Sequence, residues 1–146
     1  MSLQTDTIFV LALQDNAELI SHLPAGDVYN TSIALPDEDL PNAQLPYIVV
    51  SFDGLANDQS TKDTYEGETD SVTVSTTIAA KTRSELATLA QMVRTTVLSF
   101  FEQADEEADY FSLVPLDYRF SAGAVQYDPQ KPCFWQQLTW VCDTNI

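Results

Sequence analysis

Apolar and polar positions along this chain change their spacing several times, and each change predicts an element. Residues 4–23 place Ile8, Leu11, Ala12, Leu19, Ile20 and Leu23 on a rough helical face. Thr5, Asp6 or Thr7 supplies a cap, Asp15-Asn16 is a candidate break, and Pro24 and Gly26 end the helix. Residues 24–46 hold four prolines and the acidic run Asp37-Glu38-Asp39. They predict a connector that packs along the domain, with short extended pieces at Val28-Tyr29 and over 32–35. Leu45-Pro46-Tyr47-Ile48-Val49-Val50 leads into a strand over 46–53 with little alternation, the pattern of a central strand covered on both faces.

Residues 54–70 are polar and acidic and predict a mobile loop. Strict alternation follows over 72–80, with Val72, Val74, Thr76, Ile78 and Ala80 on one face and Thr73, Ser75, Thr77 and Ala79 on the other. That is an antiparallel strand, and it can pair with 46–53 as a long hairpin. Thr82-x-x-Glu85 is a capping box, and Leu86, Leu89, Ala90, Val93, Val97, Phe100 and Phe101 then keep helical spacing. Residues 102–109 carry five acids and no base, which predicts a solvated helix end or loop. A strand over 116–127 has Gly123 as a candidate bulge, and Asp128-Pro129-Gln130-Lys131-Pro132 is a turn. In the final strand, 133–143, Phe134, Leu138 and Trp140 share one face, and Trp135 and Val141 share the other. A strand apolar on both faces is buried on both sides, a protein partner included, so Trp135 and Val141 are candidates for a subunit interface. The order α-β-β-α-β-β predicts an α+β fold, a mainly antiparallel sheet of about four strands packed by two helices.

Composition adds size and charge. The 146 residues predict one domain over 1–146, long enough to bury a core without metal or disulfide staples. Twenty-two acids oppose six bases, for a net charge of -16, and residues 1–61 contain nine acids and no Lys or Arg. Such a surface repels phosphate, so neither specific nucleic-acid binding nor contact with an anionic membrane is expected. Cys133 and Cys142 lie in one strand on opposite faces, about 30 Å apart, and predict free thiols and a reducing compartment. The N-terminus lacks a basic region, and residues 8–13 are too short for a membrane span.

Few residues carry chemistry. His22, the single histidine, falls near a helix end where surface placement is the common case. No glycine-rich phosphate loop occurs, and Asp58-x-Ser60-x-Lys62 puts a lysine where a calcium loop needs an oxygen. Asp37-Glu38-Asp39 is a weak divalent-ion candidate whose ordinary reading is a solvated turn. No two of the carboxylates stand out as a hydrolytic pair. The aromatics Tyr118, Phe120, Tyr127, Phe134, Trp135 and Trp140 have only Arg119 and Lys131 nearby, which favours core or interface over nucleic-acid stacking. The expectation is a protein that is not an enzyme, with no catalytic residue, metal site or cofactor.

Gly26-Asp27-Val28-Tyr29-Asn30 follows the apolar first helix, and Leu45-Pro46-Tyr47-Ile48-Val49-Val50 comes next. With the alternating strand ending in Ala80-Lys81-Thr82-Arg83-Ser84-Glu85 and its Leu/Val helix, the chain resembles the tail completion, or tail terminator, proteins of long-tailed bacteriophages and prophages over roughly residues 8–142. The resemblance implies an oligomeric ring, typically a hexamer, that caps the tail tube at its head-proximal end and mediates head-tail joining. The implied partners are other copies of the chain, the tail tube protein and a head-completion or connector protein. The implied place is the virion tail or neck, after a period in the bacterial cytoplasm. No catalytic residue carries over. The long acidic loop and the aromatic last strand depart from the family's pattern. For a ring around passing DNA, a repulsive lumen is useful, so Asp58, Asp63, Glu66, Glu68 and Asp70 are assigned to a loop facing the lumen or an adjoining ring. The competing expectation is a small acidic binding protein, an inhibitor or immunity protein that mimics nucleic acid.

Overall fold

The computed structural model of the protein describes residues 5–24, 26, 28–30, 44–58, 69–103 and 117–145. The first apolar segment forms α1 (Thr5–Gln14) and α2 (Ala17–Ser21). Asn16 separates them. Its backbone is extended (φ -90, ψ 94), and its Oδ1 accepts from the Leu19 N–H at 3.2 Å, which restarts the helix. Its Nδ2 donates to Thr96 Oγ1 at 2.9 Å, so the break is also a joint to the long helix.

The strands are β1 (Tyr29–Asn30), β2 (Tyr47–Asp58), β3 (Thr69–Ala80), β4 (Asp117–Ala122), β5 (Gln126–Asp128) and β6 (Cys133–Asn145), with α3 (Arg83–Gln103) between β3 and β4. They make a six-stranded sheet in the order β1-β2-β3-β6-β4, with β5 also paired to β6. Only β1 with β2 is parallel; every other pairing is antiparallel. The α+β class and the β2–β3 hairpin agree with the sequence pattern. The counts agree only roughly: among the described residues six strands stand for about four, and three helices for two. The extra helix comes from the break expected at Asp15-Asn16, and the extra strands are short: β1 overlaps the extended piece expected at Val28-Tyr29, and β5 is the far part of the strand expected over 116–127.

The hairpin strands also run further than their apolar patterns. Polar Asn57 pairs in register with Asp70, and Asp58 with Thr69. The register slips between Phe52 and Gly54, and Gly54 takes the slip at φ 157, a conformation that favours glycine. At Gly123 the predicted irregularity appears as a gap between β4 and β5, both of which lie along the same edge of β6. The turn over 128–132 is held by Asp128 Oδ1, which accepts from the Gln130 N–H at 3.0 Å.

One face of the sheet is the core. Ile48 and Val50 of β2, Val72, Val74 and Ile78 of β3, and Leu138, Trp140 and Cys142 of β6 meet Phe9, Leu13, Leu86, Leu89, Val93 and Val97 from α1 and α3. Trp140 is fully buried among Phe120 (ring centroids 4.6 Å), Phe9 (5.8 Å), Tyr118 (5.9 Å) and Phe101 (6.1 Å), in tilted and edge arrangements. Thr82 Oγ1 caps α3 by accepting from the Glu85 N–H at 3.1 Å, one half of the expected capping box. Among the described residues, no helix is long and apolar enough to cross a membrane.

Candidate functional site

The second face of the sheet belongs to the other parity of each strand. On β3 it carries Ser71, Thr73, Ser75, Thr77 and Ala79. Across β6 these align with Asp143, Val141, Thr139, Gln137 and Trp135, and across β2 Ala79, Thr77 and Ser75 align with Tyr47, Val49 and Ser51. None of the described helices packs here, because their apolar stripes are spent on the core face. The strip of β3 and β6 from Thr73 to Ala79 and from Trp135 to Val141 holds no charge. Charge lies around it: Asp143 accepts from Ser71 Oγ (2.7 Å) and meets Arg119 Nη1 at 3.6 Å, Asp53 on β2 accepts from Ser51 Oγ at 2.9 Å, and Asp128 pairs with Cys133 at the far end. In a chain of net charge -16, such an uncharged strip is where two like-charged molecules repel least.

Trp135 and Val141 are on this face, as their parity predicted, and both are half-buried. Trp135 lies opposite Ala79 on one side and Gln126 on the other; Val141 lies between Thr73 and Arg119. Cys133 shares their parity and Cys142 takes the opposite one, and both are buried free thiols. Burial pushes the Cys142 thiol up to about 12, helped by the charge of Asp143 and opposed by Arg119. Cys133 and Tyr47 are raised as well, by burial first and then by neighbouring negative charge that includes Asp128.

The acidic assignment needs correction at its two ends. Asp58 closes β2 and Asp70 lies within β3, so neither is a loop residue. Asp70 is buried, and its Oδ1 accepts from Asn57 Nδ2 at 2.7 Å. Its carboxylate works as a cross-strand acceptor and does not present charge outward. The physical reason is that backbone pairing carries both strands beyond their apolar positions. Asp63, Glu66 and Glu68, the acids 37–39 and residues 104–109 lie outside the described residues. His22 is the exposed C-cap of α2. No group of three or more His, Cys, Asp or Glu side chains comes together among the described residues.

Two surface grooves lie among the described residues. One, of about 220 Å³, lies between the α1–α2 joint and α3, lined by Asp15, Asn16, Thr95, Thr96, Ser99 and neighbouring carbons. Asn16 and Thr96 are already bonded to each other there, so it is an architectural seam. The other, of about 240 Å³, lies between α3 and β4. Its rim carries Arg94, whose guanidinium carbon sits 4.5 Å above the Phe120 ring. Sequence reasoning missed Arg94, since nothing in the spacing of α3 places it beside an aromatic ring 26 residues away. No protein-family model matches the chain, and a search of curated proteins finds no match.

Proposed function

We propose that this chain is a structural phage or prophage protein that caps the tail tube at its head-proximal end and joins tail to head as an oligomeric ring. The reading rests on the uncharged strip of β3 and β6 on the second face of the sheet, with Trp135 and Val141 half-buried within it. Half-buried aromatic and aliphatic side chains in a charge-free patch are the ingredients of a protein interface. The rest of this acidic surface keeps nucleic acid from adhering, which suits a collar through which DNA passes. Asp58, Asp63, Glu66 and Glu68 remain the lumen or inter-ring acids of this proposal; Asp70 leaves the set because it is buried and bonded.

The test is end-capping. The purified protein is added to polymerising tail-tube protein encoded beside it, and tube lengths are measured by negative-stain microscopy. Shorter tubes with a collar at one end are expected. Unchanged lengths and bare ends overturn the proposal. A protein that stays monomeric, ignores tubes and binds a basic enzyme is the acidic inhibitor instead.

A further inference from the structure

We draw no further inference here: the strongest candidate, the groove of about 240 Å³ between α3 and β4, carries nothing, because its rim cation Arg94 already rests on the Phe120 ring and nothing in the structure shows what covers the groove.

Discussion

Single residues set the chemistry of this molecule mostly by being buried. Cys142 is the clearest case: its thiol is raised from 9.0 to about 12, chiefly by burial. The folded state therefore holds this proton where the unfolded chain releases it. The stabilisation is complete below about pH 9 and falls away as pH rises from there through 12. The full shift corresponds to roughly 4 kcal/mol. Denaturant unfolding between pH 8 and 11 should show stability falling with pH, and Cys142→Ala should flatten that slope. An equally steep slope in the variant would assign the alkaline loss elsewhere, with Tyr47 and Cys133 the next groups to replace. Asp70 shows the other side of burial. Read along the chain, it is the last of a run of acids; in the fold, Asn57 reaches across from the neighbouring strand and makes it a satisfied acceptor. No residue near Asp70 in sequence carries that information.

At the scale of elements, local signals held where they act locally. Thr82 and Glu85 are three residues apart, and the cap they form depends on nothing else. Thr82→Ala should cost about 1 kcal/mol, read as a lower denaturant midpoint, and Thr82→Ser should keep most of it. A loss no larger in Ala than in Ser would mean that the helix start is held by packing. Alternation over 72–80 likewise reported the core face correctly, because residues two apart must share a side. The polar ends of β2 and β3 were not legible. Leu55-Ala56-Asn57-Asp58 and Thr69-Asp70-Ser71 have a weak strand pattern and are strands because each supplies the other's ladder. β1 and β5, two- and three-residue pieces within segments expected to be extended, are likewise partners of longer strands.

At the scale of the whole molecule, charge dominates. Sixteen excess negative charges on 146 residues repel one another in the compact state more than in the expanded one. Salt that shortens the screening length from about 30 Å at 0.01 M toward a few ångström near 1 M should raise the melting temperature by several degrees. A melting temperature that stays level or falls with salt would show that self-repulsion is already offset within the fold. The same repulsion acts between copies and is least at the uncharged strip of β3 and β6. Net charge, the α+β class, the capped helix and the two-sided last strand were determined by the sequence itself, because each follows from composition or from neighbours within a few positions. Tertiary structure decided the rest: the sheet order that places β1 and β4 at its ends among the described residues, the burial of Asp70, and the meeting of Arg94 with Phe120. Those depend on which strands become neighbours, and that choice is made by packing across the whole core.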